Sequence, residues 1–302
     1  MKIDVIVNAS SGSGENAALK ERIAELFASD GVVAHVALAK SGRAIIELAK
    51  RAALGDSDIV VAAGGDGTIN SVTSQLLNTK KALGVLPLGT MNHFAKDLHI
   101  PLELEAAVDT IVKGHVAKVD LGKVNDHIFV NNSSLGLYPS IIREREKQQR
   151  LGWGKWPAYV WAAIAVLRRY PFLNIRLDVD GKEFASRTPF VFIGNNEYEM
   201  ETLNIGGRAC LDAGELSLYV TNRTGRLGLV RLAWHALFGG LRQEKDFLAM
   251  CTKEIWIESR RKRIRVALDG EVTVMEPPLH YRVLPGRLRV VMPENIQTAN
   301  EE

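Results

Sequence analysis

The chain reads as an α/β amino-terminal domain, a parallel sheet with helices on both faces, followed by a mostly antiparallel β carboxy-terminal domain. Three observations predict this. β-Branched runs alternate with helix-periodic segments through the first third. Glycine-rich loops fall where the strands of that third end. Beyond about Lys118 the texture changes to short strands separated by turn signals.

In order, Ile3–Val7 is a β-branched run ending at Asn8, and the turn-rich Ala9–Gly14 follows. Glu15–Phe27 places Leu19, Ile23, Leu26 and Phe27 at helical spacing. Val32–Leu38 reads as a second strand, and Arg43–Leu54 as a helix with Ile45, Ile46, Leu48 and Ala49 inward. Ile59–Ala63 is a third strand, running through Gly64–Gly67 into a helix that ends near Leu77. Leu83–Pro87 is a fourth strand, and its loop feeds a short helix over Met91–Leu98. Leu104–Lys113 closes the series as a helix. Such alternation with short loops makes a parallel sheet whose ligands sit beside the carboxyl ends of its strands.

In the second part Val116–Val124, His127–Asn132, Ile175–Asp180, Phe190–Ile193, Glu215–Val220, Lys253–Ser259, Ile264–Leu268 and Arg287–Val291 read as strands. Val179-Asp180-Gly181-Lys182 is a hairpin signal. Helical stretches interrupt near Pro157–Arg169 and Leu227–Phe238. The expected division is residues 1–120 and 121–302.

The 302 residues are 46% apolar and 24% charged, ample for a core. Only the polar end from about Glu294 reads as disordered. The net charge of +3 is uneven: residues 121–302 carry 26 basic against 21 acidic side chains, whereas residues 1–120 carry 12 against 14. A basic second half suits an anionic partner. Nucleic acid is not expected, because no recognition motif accompanies the charge. Cys210 and Cys251 stand far apart without CxxC companions, so they read as reduced core thiols of a cytoplasmic protein. No signal peptide opens the chain, and Pro157–Leu167 is too short for a membrane span of about 20 residues.

The chemistry concentrates in the loops. In Gly64-Gly65-Asp66-Gly67-Thr68 the glycines let amide groups face a ligand, and the following helix start favours phosphate. Asp66 would repel phosphate unless a divalent cation bridges the two; otherwise it serves the turn as a cap. In Pro87-Leu88-Gly89-Thr90-Met91-Asn92-His93-Phe94-Ala95, Thr90 is an N-cap candidate and Asn92 can donate and accept near a ligand. Asn8-Ala9-Ser10-Ser11-Gly12-Ser13-Gly14 adds an amide, hydroxyls and glycine freedom. No G-x-x-x-x-G-K-[ST] stretch is present, and no G-x-G-x-x-G follows the first strand, which excludes P-loop and dinucleotide Rossmann sites.

Those two loops, with Asn8…Gly12 upstream and Leu268-Asp269-Gly270-Glu271 near the end, resemble the diacylglycerol kinase catalytic-domain family in its soluble bacterial branch. G-G-D-G-T alone is shared with phosphofructokinases and NAD kinases, and P-x-G-T-x-N-x-F-A separates the lipid kinases from both. The likeness spans roughly residues 2–292. It implies a nucleotide domain, a β-sandwich-like second domain and a cleft between them. Asn8, Ser10, Gly12, Gly64, Gly65, Asp66, Gly67, Thr68, Thr90 and Asn92 would line a pocket for ATP and Mg²⁺, with Asp66 on the metal. Asp269 and Glu271 share the expected role of catalytic base, since an attacking hydroxyl must lose its proton. The turn signal of Asp269-Gly270 gives the plainer alternative, a solvated hairpin.

The chain departs from the family twice. Ala213, in Leu211-Asp212-Ala213-Gly214-Glu215-Leu216, stands where a second, structural Mg²⁺ would find a carboxylate, leaving Asp212 as substitute. Leu38 or Ala39 replaces a threonine near the nucleotide.

The expected partner is a lipid substrate at the membrane surface, met from the water side as a peripheral protein; oligomeric state stays open, a homo-oligomer included. Trp153 and Trp156, beside Arg143, Arg145, Lys147 and Arg150, suit the interface, whereas Trp161 reads as core. Arg260–Arg265 reads as one strand's solvated face, and Asn195-Asn196-Glu197-Tyr198 as a cleft loop or a turn. Alternative functions are an NAD kinase-like enzyme with a soluble acceptor, and a non-catalytic nucleotide- or lipid-binding module.

Overall fold

The computed structural model describes residues 1–9, 15–140, 142, 161, 172–201, 204–208, 210–221 and 247–294. The anticipated helices over 157–169 and 227–238, the residues Trp153, Trp156, Arg143, Arg145, Lys147 and Arg150, and the tail beyond Glu294 lie outside them.

Two compact units emerge: Met1–Val119 with Gly286–Glu302, and Asp120–Pro285. In the first, β1 (Lys2–Asn8), β2 (Val33–Ala39), β3 (Ile59–Gly64) and β4 (Ala82–Pro87) form a parallel sheet in the order β2-β1-β3-β4. Both β3 and β4 are buried along their whole length, as continuous apolar runs in a sheet covered on both faces must be. Helices α1 (Glu15–Ser29), α2 (Gly42–Leu54), α3 (Asp66–Leu76), α4 (His93–Asp97) and α5 (Leu104–Lys113) connect the strands. Their apolar stripes face inward: Ile45, Ala49 and Ala52 on α2, Ile69, Val72 and Leu76 on α3, and Ala107, Val108 and Ile111 on α5. The Ser41 hydroxyl caps α2 by accepting from the Ala44 amide at 3.2 Å.

The sheet grows from β1 in both directions, so its chain order reverses between β1 and β3. The carboxyl ends of those two strands flank this reversal, the usual ligand position of an open parallel sheet. Asn8 ends one and Gly64 the other.

The second unit contains two sheets. One has the order β14 (Phe247–Thr252), β13 (Leu216–Thr221), β10 (Phe190–Asn195), β7 (Asn132–Gly136), β16 (Ile264–Leu268) and β17 (Glu271–Met275), antiparallel throughout. The other brings together β18 (Leu279–Met292), β15 (Glu254–Ser259), β8 (Leu173–Val179) and β9 (Lys182–Thr188). Inward residues of both sheets, among them Leu135, Leu177, Val191, Leu218, Ile257, Val266 and Tyr281, share one core, which makes the unit a sandwich. Strands β5 (His115–Val124) and β6 (His127–Phe129) pair antiparallel, and β11 (Tyr198–Glu201) with β12 (Asn204–Arg208) forms a separate ribbon. The hairpin at Asp180-Gly181 takes positive φ at both residues, as its sequence requires.

Several expectations shift. β18 begins beside β15, but its end stands parallel to β4, with Val290 opposite Leu83, so residues from Gly286 fall with the first unit rather than the second. Cys251 is exposed and Cys210 half-buried, not core thiols; Cys251 lies on β14, an edge strand, and Cys210 in the segment before β13. Trp161 is 45% exposed rather than buried: an apolar run does not say which side of a helix is covered. Arg260–Arg263 form the turn between β15 and β16, and only Arg265 lies on a strand.

Candidate functional site

Two loops at the carboxyl ends of β3 and β4 are built into one another. Gly65 is the N-cap of α3, and Asp66 is its first residue. The Asp66 carboxylate accepts from the backbone amides of Phe94 at 3.1 Å and His93 at 3.3 Å. It thereby caps the first turn of α4 from the neighbouring loop. This cap is needed because Asn92, the N-cap of α4, makes no side-chain cap bond. Thr90, the sequence candidate for that position, is exposed two residues upstream.

The Asn92 side chain does other work. Its Oδ1 accepts from the Gly89 amide at 3.0 Å, and its Nδ2 donates to the carbonyls of Pro87 and Gly89, each at 3.0 Å. It is 5% exposed with φ +51°, so the amide holds its own loop closed rather than pointing to a ligand. Gly65 and Gly89 meet backbone to backbone. A Cβ on Gly89 would run into the Gly65 Cα and stand 2.7 Å from Asn92 Oδ1. At the reversal point, Asn8 Nδ2 donates to the Thr68 hydroxyl at 3.0 Å, tying β1 to the start of α3. A Cβ on Gly64 would approach the Thr68 Cβ to 2.8 Å.

The structure thus gathers Asn8, Gly64, Gly65, Asp66, Gly67, Thr68, Gly89 and Asn92 at one edge of the sheet. Ser10 and Gly12 lie outside the described residues. Leu38 and Ala39 end β2 with no hydroxyl. The cradle fits phosphate: close-set glycine backbone leaves amides for an anion. It also suits a magnesium ion bound with a nucleotide, which takes one or two carboxylates plus phosphate oxygens. Asp66, which accepts from the His93 and Phe94 amides, is the carboxylate placed at this cradle.

In the second unit, Asp269 and Gly270 are the two loop residues of the β16–β17 hairpin, with φ +46° and +85°, and Leu268 pairs with Glu271 across it. Asp269 is firmly engaged. Its Oδ1 accepts from the amides of Asn131 at 2.8 Å and Asn132 at 3.0 Å, and its Oδ2 from Val130 at 2.8 Å. Glu271 is exposed beside it. The plain hairpin reading is therefore right about the turn, but the Asp269 carboxylate is bound to protein rather than solvated.

Behind this segment stand residues that sequence reasoning missed. The Arg208 guanidinium, 7% exposed, donates to the carbonyls of Val130 at 2.8 Å and Asn195 at 3.2 Å, and to Asn131 Oδ1 at 3.0 Å. Asn195 Nδ2 donates to the carbonyls of Asp120 and Val130. The polar Asn195-Asn196 pair was a signal; nothing about Arg208 set it apart from surface arginines.

At the doubtful structural metal site, Asp120 Oδ2 accepts from the Gly214 amide at 2.6 Å, and Asp212 is exposed. Among the described residues no group of three or more His, Cys, Asp or Glu could hold a metal.

Residues 2–124 match the diacylglycerol kinase catalytic domain, and residues 139–292 the YegS C-terminal NAD kinase beta sandwich-like domain. The chain belongs to the diacylglycerol kinase catalytic-domain family. A diacylglycerol kinase of Staphylococcus aureus (strain bovine RF122 / ET3-1) is 28% identical over 301 residues, covering 99% of this chain and 94% of that one. Its counterpart from strain JH9 is 29% identical over 265 residues, 87% and 82% of the two chains. Two crystal structures from Bacillus anthracis str. Sterne share the fold. One, of a diacylglycerol kinase, has TM-score 0.71 at 22% identity over 96% of each chain. The other has TM-score 0.76 at 24% identity over 96% of this chain and 95% of that one. Among the described residues no helix is long and apolar enough to cross a membrane.

Proposed function

We propose that this chain is an ATP-dependent lipid kinase that transfers the γ-phosphate to a hydroxyl of a membrane lipid such as diacylglycerol. It would work at the cytoplasmic membrane surface. The observation that carries the reading is the lock between the two glycine loops: Asp66 on the α4 amides, and Gly65 against Gly89. It holds the glycine loops after β3 and β4 together, beside the reversal point of the sheet, where this reading puts the phosphates. The names of the Staphylococcus aureus relatives supply the acceptor class.

In this mechanism the amides of Gly65–Gly67 and the Thr68 hydroxyl, oriented by Asn8, would bind and align the triphosphate. A magnesium ion, when bound, supplies positive charge against the phosphates, and Asp66 is the carboxylate that would hold it. The lipid oxygen forms a bond to the γ-phosphorus, the bond to the β-phosphate oxygen breaks, and ADP leaves. The hydroxyl proton passes to a carboxylate. Glu271 is the better acceptor. Asp269 already receives three amide bonds and acts by fixing the hairpin.

Labelled γ-phosphate should pass from ATP to diacylglycerol in mixed detergent micelles. Glu271→Gln should lower kcat by about 10²–10⁴ with little change in the KM for ATP. Absence of transfer to any lipid by the native chain would remove the reading. The NAD kinase-like match of the second domain supports an alternative, a soluble acceptor. Transfer to NAD in lipid-free buffer, with none to micelles, would favour it.

A further inference from the structure

The outward face of β9, β8 and β15 changes sign along its length. At one end stand Glu183, Asp178 and Glu254; at the other, Arg187, Arg176 and Arg260. Register sets Asn174 opposite Arg187, and Arg176 opposite Glu258. The basic end runs directly into the turn Arg260-Arg261-Lys262-Arg263, all four exposed. A groove of about 680 Å³ crosses it, and its lining includes Arg176, Arg187, Arg260 and Glu258 beside the apolar Ile175 and Ala185.

The charges there are unevenly answered. Arg176 lies 3.9 Å from Glu183 and Arg263 lies 3.4 Å from Glu276, both as exposed pairs that contribute little. Arg261 donates to the Phe172 carbonyl, and Arg187 stacks over the Phe172 ring at 4.6 Å. Arg260 and Lys262 make no ion pair among the described residues. Six cations, Arg176, Arg187, Arg260, Arg261, Lys262 and Arg263, stand against Glu258 and Glu276 at this end, with Glu183 reaching Arg176 from the other, and leave a positive pole about 15 Å across at ordinary strand spacing.

We infer that this arginine-rich end of the β8–β9–β15 face, with the Arg260–Arg263 turn, docks the chain on an anionic lipid bilayer. The proposal rests on the lipid-kinase reading and gives that enzyme a membrane contact distinct from the tryptophan segment the sequence suggested. Charge complementarity selects the occupant. A bilayer of anionic headgroups presents closely spaced phosphodiesters to a two-dimensional array of guanidinium forks, whereas a lone free phosphate would use only one or two of them. The groove between Arg176, Arg187 and Arg260 gives one headgroup a seat.

The test is sedimentation of the full chain with vesicles of phosphatidylcholine, alone or mixed with phosphatidylglycerol. Binding should require the anionic lipid and weaken steeply as salt rises from about 0.05 M to about 0.3 M. R260Q/K262Q should weaken it roughly fivefold per charge removed, about 25-fold together. The charge-preserving pair R260K/K262R should bind as the native chain does. Turnover of short-chain diacylglycerol in detergent should be unchanged in both. Equal binding of R260Q/K262Q and the native chain would overturn the proposal, as would equal binding to neutral vesicles. So would calorimetric binding of inorganic phosphate without binding to anionic vesicles. Loss of turnover by the native chain in detergent, with vesicle binding intact, would instead count against the kinase reading alone.

Discussion

At the hairpin tip, two neighbouring carboxylates have been given different work by backbone geometry. Asp269 sits at φ +46°, a conformation that turns its side chain back onto the amides of Val130, Asn131 and Asn132. Glu271, on the next strand, is left exposed. Replacing Asp269 with Asn would set an NH₂ group against the Val130 amide, two donors face to face. Asp269→Asn should cost about 2–3 kcal/mol of stability, read by urea denaturation, and lower kcat as the hairpin loosens. Glu271→Gln should leave the denaturation midpoint in place while turnover falls. If both variants kept full stability, the amide clamp on Asp269 would have no energetic weight. Arg208 belongs to the same scale. Its guanidinium binds the Val130 carbonyl and the Asn131 side chain, whose own amides hold Asp269. The sequence showed the D-G turn and both acids, but could not divide their roles. That division depends on residues about 140 positions away in the chain.

The two nucleotide loops behave as one element. Sequence placed their strands and helices within a residue or two, since each lies in a long period-driven segment. It assigned Asp66 and Asn92 chiefly to ligands, and the structure shows their bonds to protein. Asp66 replaces the missing cap of α4, and Asn92 closes its own loop. Such partners lie on another strand's loop, beyond the reach of local pattern. Gly89→Ala is the sharpest probe, because the added methyl would meet Gly65 and Asn92 Oδ1 together. Overpacking of this kind costs about 1–3 kcal/mol. Displacement of the phosphate cradle should raise the KM for ATP by roughly tenfold or more, measured by initial rates. Asn92→Ala removes three hydrogen bonds and places alanine at a positive φ, so it should destabilise by about 2–4 kcal/mol. Asn92→Gly, which relieves only the backbone strain, should recover part of that loss.

Across the molecule, what sequence could not show is how far apart in the chain the packed partners lie. β18 was legible only as Arg287–Val291, yet it runs from Leu279 to Met292 and contributes buried residues to both units, Tyr281 to one and Val290 to the other. Tyr281 has a consequence for stability. It is fully buried, its hydroxyl shares a 3.0 Å hydrogen bond with Ser133, and its ring meets Phe129 edge-on. Burial raises its pKa well above the ordinary 10, and the Ser133 bond only partly opposes that. Tyr219, also buried, is raised for the same first cause. A raised pKa means that the folded chain keeps a proton which the unfolded chain releases. The stabilisation is therefore complete below pH 10 and is lost as pH climbs above it. The decline should approach about 1.4 kcal/mol per pH unit for Tyr281 alone. Urea midpoints measured from pH 8 to pH 11.5 should stay level and then fall. In Tyr281→Phe, starting about 1 kcal/mol lower for the lost Ser133 bond, the alkaline fall should be shallower. An identical slope in both proteins would place the alkaline limit elsewhere than in this buried phenol.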